Sequence, residues 1–290
     1  MAFALEVENL NKEFHAVKAV DDLSIKLEEN KIYGLLGRNG AGKTTFLKLI
    51  VSQYVKDSGS IKAFGEETFE NENALSKICF VNDEEMFSPY LKVKDIFKMA
   101  KLFYKNWDEN YKEILLSKFE LHENQKYGEL SKGNRACVGI ILALSSRAEI
   151  TIYDESYSGL DEVAREIFYD ELLKDYSENP RTIIFSTHFI SEVNKIFESV
   201  IMIDKGKVKL FEDCDELREK SIMLMGEKDK LEEYLKKVNV IHKEEIGGIL
   251  RAAVFEKLTK DEKNKLKDMG IEVNYLPMEK LFVYMTKGGN

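Results

Sequence analysis

The chain contains 290 residues, of which 44% are hydrophobic and 33% are charged, and this balance predicts a soluble globular protein with one large and one small domain. The formal net charge of −9, without an arginine-rich stripe, argues against a nucleic-acid-binding surface. No apolar run approaches the length of a membrane span and the N-terminus lacks signal-peptide features, so we expect a protein that is neither secreted nor membrane-spanning.

Short apolar strands alternate with longer helical patterns over residues 1–212, which predicts an α/β domain with a sheet flanked by helices. The candidate strands are residues 3–7, 23–27, 32–36, 77–81, 150–153, 182–186 and 199–204. Between positions 91 and 127 the pattern changes to charged amphipathic helices, with Val93, Ile96 and Phe97 at helical spacing. We interpret this stretch as a helical insertion in the α/β core.

A glycine-rich loop, Gly-Arg-Asn-Gly-Ala-Gly-Lys-Thr at residues 37–44, joins the strand at 32–36 to an apolar-periodic helix. Its glycines allow positive φ and a close approach of backbone N–H groups to a phosphate. Lys43 would reach the β- and γ-phosphates of ATP, and Thr44 would offer its hydroxyl to Mg²⁺. A glycine-rich turn with an incidental lysine is the alternative. The predicted nucleotide-binding residues are Gly37, Asn39, Gly40, Ala41, Gly42, Lys43, Thr44 and Thr45.

Two carboxylates, Asp154 and Glu155, follow the apolar strand at 150–153. A strand of this kind places its C-terminal residues at the edge of the sheet where the phosphate loop also lies. Asp154 would hold Mg²⁺ directly or through water, and Glu155 would orient and polarise the attacking water. A helix-capping pair is the alternative interpretation of these two residues. The segment resembles a Walker B motif.

The segment Leu-Ser-Lys-Gly-Asn at residues 130–134 precedes a long apolar helix. Ser131 is a good N-cap, so helix initiation is the simplest interpretation. A helix N-terminus that carries Ser131 and Gly133 is also an anion site. The segment resembles the Leu-Ser-Gly-Gly-Gln signature of ABC transporter ATPases, and it lies in that family's order between the phosphate loop and the Walker B motif.

The resemblance to ABC transporter ATPases extends over residues 1–212. Ser-Gly-Leu-Asp at residues 158–161 matches the D-loop, His188 matches the switch histidine, and Phe14 stands where the family has an aromatic that stacks on adenine. This implies a P-loop NTPase fold with a RecA-like core and a helical subdomain at about residues 85–146. It also implies a head-to-tail dimer in which Ser131, Gly133 and Asp161 face a nucleotide held by the other subunit. Core packing remains the alternative for Phe14.

Two positions depart from the family pattern. Asp83 stands where the family usually has a glutamine, and its carboxylate can still meet Mg²⁺ or a water on it, although its arm is shorter and it cannot donate a hydrogen bond. Lys132 replaces a signature glycine, and it adds a cation near the incoming phosphate unless it is simply a solvated surface lysine. Because Lys43, Glu155 and His188 remain, we predict an active ATPase.

Residues 213–290 are predicted to form a separate accessory α+β domain, after a polar, acidic connecting segment at residues 211–220. Its order of predicted elements is β-α-β-β-α-β, which is typical of a small ferredoxin-like fold. Thr259 and Glu262 form a capping-box pattern for the second helix, and Gly270 marks the end of that helix. A packing or dimerisation module without a ligand is the simplest role for this domain.

The family resemblance implies an ATP-hydrolysing subunit that dimerises, with itself or with a second ATPase subunit, and docks on separate polytopic membrane subunits. The chain is similar to ATPases of Gram-positive drug, bacteriocin and peptide exporters, a group that includes the phenol-soluble modulin exporter. We therefore expect export of antimicrobial or amphipathic peptides or of drugs. A soluble non-transport ABC ATPase and an ATP-binding regulatory or immunity module with little turnover are the alternatives.

The expected location is the cytoplasm, peripheral on the inner face of the cell membrane through the membrane subunits. The cysteines agree with this expectation, since Cys79, Cys137 and Cys214 are odd in number and lack metal-ligand spacing. Such a pattern predicts free thiols in a reducing compartment.

Overall fold

A computed structural model of the protein describes residues 2–84, 86–187 and 196–286. The chain divides into two compact units, one formed by Met1–His188 with Ile203–Lys209 and the other by Phe189–Met202 with Leu210–Asn290. In the described ranges no helix is both long and apolar enough to cross a membrane. The three cysteines are buried free thiols, as predicted.

The first sheet is antiparallel and consists of β1 (Phe3–Phe14), β2 (Val17–Glu28), β4 (Ser58–Ala63) and β5 (Glu66–Glu67). Its strand order is β2-β1-β4-β5. Sequence analysis found only the buried halves of β1 and β2 and missed β4. The missed parts are mostly polar and only partly buried, with Leu10 and Val20 as isolated buried residues, and β4 begins with Ser-Gly-Ser, so the apolar alternation that predicts a strand is absent there.

The second sheet has six strands in the order β10-β9-β3-β8-β7-β6. These are β3 (Ile32–Leu36), β6 (Ile78–Asn82), β7 (Ile150–Asp154), β8 (Thr182–Thr187), β9 (Ser199–Asp204) and β10 (Lys207–Asp213). The strands β3, β8, β7 and β6 pair in parallel, and their registers align Asn82 with Asp154 and Asp154 with Ser186. Because parallel strands end at one edge, the phosphate loop after β3, Asp83 after β6 and Glu155 after β7 all lie at that edge.

Six described helices accompany these sheets: α1 (Lys43–Ile50), α2 (Glu72–Leu75), α3 (Val93–Phe103), α4 (Glu109–Lys118), α5 (Lys132–Ser146) and α6 (Glu162–Glu178). The predicted helical insertion is confirmed, since α3 and α4 occupy it and a single isolated bridge is its only described strand pairing. Side-chain N-caps start four of these helices, and Asn71 accepts from the Ala74 N–H at 3.2 Å at the start of α2. Asp108 accepts from the Tyr111 N–H at 2.8 Å, Ser131 from the Asn134 N–H at 3.1 Å, and Asp161 from the Ala164 N–H at 2.8 Å.

A buried ionic cluster fixes α4 and the end of α5 to α6. Asp175, whose side chain is 1% exposed, accepts hydrogen bonds from Arg147 and, at 2.6 Å, from Arg181. Arg147 also donates to Asp108 at 3.0 Å and lies over the Tyr111 ring, 4.9 Å from its centroid. These charges are removed from water but are paired with one another, as buried ions in proteins must be.

The C-terminal elements are α7 (Cys214–Lys220), β11 (Ser221–Glu227), α8 (Lys228–Leu235), β12 (Val240–Ile246), β13 (Ile249–Phe255), α9 (Lys260–Asp268), β14 (Glu272–Tyr275) and α10 (Met278–Thr286). From β11 to β14 they form an antiparallel sheet in the order β12-β13-β11-β14, so the predicted β-α-β-β-α-β order and ferredoxin-like fold are confirmed. The capping box of Thr259 and Glu262 is present as predicted. The predicted polar connecting segment lies just after the boundary between the two units, and it contains the end of β10 and all of α7, which buries Cys214 and Leu217.

Candidate active site

The loop after β3 borders a cavity of about 460 Å³ at the carboxyl edge of the second sheet. Every predicted phosphate-loop residue except Gly37 lines it, namely Asn39, Gly40, Ala41, Gly42, Lys43, Thr44 and Thr45. The predicted metal and water-activating residues Asp83, Asp154 and Glu155 line the same cavity. One open cavity therefore brings together groups that follow β3, β6 and β7 and are distant in the sequence.

The backbone of the loop requires glycine at Gly42. Its φ is +107°, and a Cβ built on it would lie 2.2 Å from the backbone oxygen of Ala19. Gly40 also has a positive φ, +79°, but a Cβ there would meet nothing within 4 Å. Glycine is thus required at position 42 by both the positive φ and the lack of space for a Cβ. At position 40 it is favoured by the positive φ alone.

The side chain of Lys43 folds back against the phosphate loop to which the residue belongs. Its ammonium donates to the backbone oxygen of Gly37 at 2.8 Å and lies 3.7 Å from a carboxylate oxygen of Glu155. The side chain is only 5% exposed. Burial lowers the pKa of Lys43, and the Glu155 and Asp154 carboxylates oppose that shift. The ammonium is therefore positioned at the loop before any phosphate is bound.

Asp154 is the last residue of β7 and is 3% exposed. Burial raises the pKa of its carboxyl above the usual value, while the hydroxyl groups of Ser186 and Thr44 lower it. Its Oδ1 is buried and accepts no hydrogen bond from the described residues. A buried carboxylate oxygen without a donor, beside the Thr44 hydroxyl, suits a divalent cation.

The donor set fits Mg²⁺ held jointly with a nucleotide. Among the described residues there is no group of three His, Cys, Asp or Glu side chains that could hold a metal alone. Mg²⁺ typically takes one or two carboxylates and completes its shell with phosphate oxygens and water. Thr44, Asp154 and Asp83 provide such a partial set around the cavity.

Glu155 has a left-handed backbone conformation, with φ of +51°, which non-glycine residues rarely adopt. Its N–H donates to the backbone oxygen of Ser186 at 3.1 Å and so continues the pairing of β7 with β8 by one residue. Strained backbone of this kind costs about 1–2 kcal/mol and persists where its surroundings enforce it. Here it directs the chain away from the sheet directly after the two carboxylates.

Phe14 is not among the described residues that line the cavity. It ends β1, is 39% exposed, and packs edge-on against Tyr54 with ring centroids 5.3 Å apart. The hairpin that follows it contributes Val17 and Ala19 to the cavity wall instead, and Arg38 of the loop is a further lining residue. Sequence analysis missed these three, since Val17 and Ala19 carry no motif and are recognisable only as the start of β2.

A second cavity, of about 530 Å³, contains Ser131, Gly133 and Asp161. It shares no described lining residue with the phosphate-loop cavity. Ser131 and Asp161 are the N-caps of α5 and α6, and a Cβ on Gly133 would lie 3.0 Å from the backbone oxygen of Gly159. The structure thus separates the predicted site residues of one chain into two groups. His188 lies outside the described residues.

Comparison with known proteins identifies the family. The sequence model of the ABC transporter family matches residues 20–158, which include the phosphate loop, the signature segment and the Walker B carboxylates. The bacitracin transport ATP-binding protein BcrA of Bacillus licheniformis is 31% identical over 211 residues, which are 72% of this chain and 69% of BcrA. The chain belongs to the ABC transporter ATP-binding family.

One further relative and one solved structure support the assignment to the ABC ATPases. The ABC transporter ATP-binding protein YtrB of Bacillus subtilis is 25% identical over 286 residues, 98% of each chain, so the likeness includes the C-terminal unit. A solved dimeric ATP-binding cassette in a post-hydrolysis state, bound to ADP and Pi, has a TM-score of 0.63 and 22% identity, covering 72% of this chain and 98% of that one. The protein is an ATP-binding, ATP-hydrolysing subunit of an ABC transporter and has the ABC cassette fold.

Lys132 of this ABC ATPase lies in neither of the two cavities. It lines a third one, of about 240 Å³, with Asp83 and Ser156. The predicted position of Lys132 near an incoming phosphate concerns a second subunit and stays a prediction; within this chain Lys132 is exposed and lines a cavity that Asp83 also lines.

Proposed function

We propose that two ATPase chains, two copies of this one or this one with a second ATPase subunit, close head to tail around ATP and Mg²⁺ and drive export through separate membrane subunits. The separation of the two cavities carries the proposal. The phosphate-loop cavity holds Lys43 and Glu155, whereas Ser131 lies in a cavity with no shared lining residue in the described part of the chain. An anion-binding helix start that does not serve its own nucleotide can serve one held by another chain.

In this arrangement the side chains have distinct tasks. Lys43 would leave Glu155 and bind the β- and γ-phosphates, while the loop N–H groups hold the β-phosphate. Glu155 would then orient the attacking water, and Ser131 and Asp161 would complete the site from the other chain. Mg²⁺, held by Thr44, Asp154 and Asp83, would neutralise charge that develops between the phosphates. His188 and Phe14 keep their proposed roles at the γ-phosphate and the adenine ring.

A substitution of Glu155 distinguishes an ATPase from a regulatory module that binds ATP with little turnover. We expect Glu155→Gln to abolish phosphate release and to leave ATP-bound dimers that can be detected by light scattering. Glu149→Gln is a matched control, because it makes the same change at the opposite end of β7, at an exposed residue. Phosphate release by Glu155→Gln at the rate of Glu149→Gln would exclude the assigned mechanism.

The membrane subunits would dock on a groove beside α3. This groove, of about 470 Å³, is lined by apolar side chains that include Met86, Phe87 and Met99, with Glu84 at its polar side. Phe103, which also lines the groove, and the adjacent Leu102 are 71% and 82% exposed, which is unusual for large apolar residues. This surface supports a position on the cytoplasmic face of the membrane, with domain 1–212 as the motor and domain 213–290 as an accessory module.

The docking surface can be tested with a matched pair of leucines. The full chain should co-purify with the polytopic membrane protein encoded beside its gene, and Leu102→Glu on α3 should lose that association. Leu173→Glu on α6, at a residue that is 41% exposed, should retain it. Failure of the unaltered chain to associate with any such membrane protein would favour the non-transport alternative.

The proposed cargo class is antimicrobial or amphipathic peptides or drugs. The likeness to BcrA, which is named for bacitracin transport, supports this class. Cells that lack the protein should become more sensitive to such compounds, and Glu155→Gln should not restore resistance. Uptake of a nutrient that depends on the protein would contradict the proposed direction.

A further inference from the structure

The turn between β9 and β10 is hydrogen-bonded to the phosphate loop. It consists of Lys205 and Gly206, whose φ angles are both positive, +50° and +77°. The Gly206 N–H donates to the backbone oxygen of Ala41 at 2.8 Å, and the Gly206 oxygen accepts from the Asp21 N–H at 3.0 Å. Gly206 therefore connects the phosphate loop with β2 through its own two backbone groups.

The turn has no room for a side chain at Gly206. A Cβ on this residue would lie 2.9 Å from the backbone oxygen of Ala19 and 3.1 Å from the backbone nitrogen of Asp21. Both are atoms of the β2 backbone, so they cannot move aside as the end of a flexible side chain can. Any side chain at position 206 must therefore displace the turn, and with the turn the N–H that donates to Ala41.

The beginning of the phosphate loop also lies against this hairpin. A Cβ on Gly37 would be 2.7 Å from the backbone oxygen of Ile203, near the end of β9. The backbone oxygen of Gly37 in turn accepts from the Lys43 ammonium at 2.8 Å. The hairpin thus contacts the loop near its start, at Gly37, and near its end, at Ala41.

The hydrogen bond to Ala41 determines the direction of the next N–H. Ala41 and Gly42 share a trans peptide group, in which the C=O and the N–H point in opposite directions. Because the Ala41 oxygen points to Gly206, the Gly42 N–H points away from the turn. Gly42 lines the phosphate-loop cavity, and its N–H has no acceptor in the described ranges. Such an N–H at the start of α1 is a donor for an anion.

We propose that Gly206 is a positioning residue for the phosphate-binding N–H of Gly42. By donating to the Ala41 oxygen it fixes the plane of the Ala41–Gly42 peptide before the nucleotide arrives, so that the Gly42 N–H is already directed at the β-phosphate. Without this bond the peptide group can rotate, and binding has to order it at a cost in affinity. This inference rests on the proposed nucleotide site.

The test compares two alanine substitutions with the same backbone strain. Gly65, in the turn between β4 and β5, has a φ of +79°, close to that of Gly206, but a Cβ there would meet nothing within 4 Å. The affinities of the full chain for ADP and for AMP are measured by displacement of a fluorescent ATP analogue. Gly206→Ala should weaken ADP binding about tenfold, as expected for one weakened hydrogen bond to a charged group. AMP binding should not change, because AMP has no β-phosphate, and Gly65→Ala should affect neither nucleotide.

The ratio of the two affinities separates positioning from general destabilisation, which would weaken ADP and AMP binding together. If Gly206→Ala does not fold, replacement of Gly206 by glycolic acid removes the N–H without adding a side chain, and the same selective loss of ADP affinity is expected. An ADP affinity equal to that of Gly65→Ala, or an equal loss for ADP and AMP, would overturn the proposal. A parent chain that binds neither ADP nor the ATP analogue would instead overturn the proposed nucleotide site.

Discussion

The ammonium nitrogen of Lys43 lies 3.7 Å from a carboxylate oxygen of Glu155. The residue assigned to hold phosphate thus contacts the residue assigned to activate water. A phosphate oxygen is a stronger partner for the ammonium than a partly exposed carboxylate at 3.7 Å, because it forms shorter, charge-assisted hydrogen bonds. Nucleotide binding would therefore release Glu155 for the attacking water, so the same contact connects binding with the readiness for hydrolysis.

Asp154→Asn should stabilise the nucleotide-free protein at neutral pH. The pKa of Asp154 is raised in the folded state by burial, so the folded protein binds more protons than the unfolded one between the ordinary pKa and the raised one. The stability that Asp154 contributes is present at low pH and is lost as the pH rises through that window. Asparagine has no charge to desolvate, so the variant should be more stable than the parent at pH 7.

Thermal unfolding measured from pH 4 to pH 8 without nucleotide tests this sign. The gain in Tm of Asp154→Asn over the parent should grow as the pH rises, and it should be smallest at pH 4. Addition of Mg²⁺ and ATP should stabilise the parent more than the variant, because the variant lacks the carboxylate for the metal. A lower Tm for the variant at pH 7 without nucleotide would contradict the prediction.

Two glycine substitutions in the phosphate loop should differ in cost. Gly42→Ala combines a positive φ with a 2.2 Å approach to Ala19 and should destabilise the protein by about 3 kcal/mol. Gly40→Ala has only the positive φ and should cost about 1 kcal/mol. Denaturant unfolding of the nucleotide-free chain provides the comparison, and equal costs for the two variants would contradict the contact that we describe.

Removal of the charge of Asp175 should be severely destabilising. Its buried carboxylate holds Arg147 and Arg181, so loss of its charge leaves Arg147 with Asp108 alone and takes this carboxylate away from the buried Arg181; breaking a buried ion pair costs about 3–5 kcal/mol in comparable cases. We therefore expect Asp175→Asn to lower the Tm by several degrees. Lys26→Gln removes an exposed ion pair with Glu6 and should change the stability by less than about 1 kcal/mol. Similar effects of both variants would show that the cluster is not a structural element.

Phe14→Leu tests whether this aromatic stacks on adenine although it lies outside the cavity lining. Stacking on an aromatic ring is worth about 1–3 kcal/mol per base, so the variant should bind ATP about tenfold more weakly at equilibrium. Phe69→Leu is the matched control, because Phe69 is 40% exposed and Phe14 is 39% exposed. Equal affinities of the two variants would leave packing against Tyr54 as the role of Phe14.

The sequence predicted those parts of the fold and site whose signals are local. Strands such as β3 and β7 are fully buried and read as continuous apolar runs, and the loop glycines have a fixed spacing. The exposed half of β1 was not predicted, because it depends on pairing with a strand that is distant in the sequence. The short helix α7 was not predicted either, because it buries only two residues. The position of the Lys132 side chain beside Gly159 was also beyond the sequence, since the two residues are distant along the chain.

The parallel register of β6, β7 and β8 aligns Asn82, Asp154 and Ser186 in one row across the sheet. The whole helical insertion leaves the sheet after the first of these strands and returns to it before the second. The length of the insertion can therefore change during evolution without moving the carboxylates. Their position is fixed by the hydrogen bonds between the strands and does not depend on the length of the inserted chain. Inside β7 the opposite holds, since one added or deleted residue would turn Asp154 to the other face. Natural variation among such proteins should accordingly concentrate in the insertion, where a different membrane partner can be accommodated, and spare the five residues of the strand.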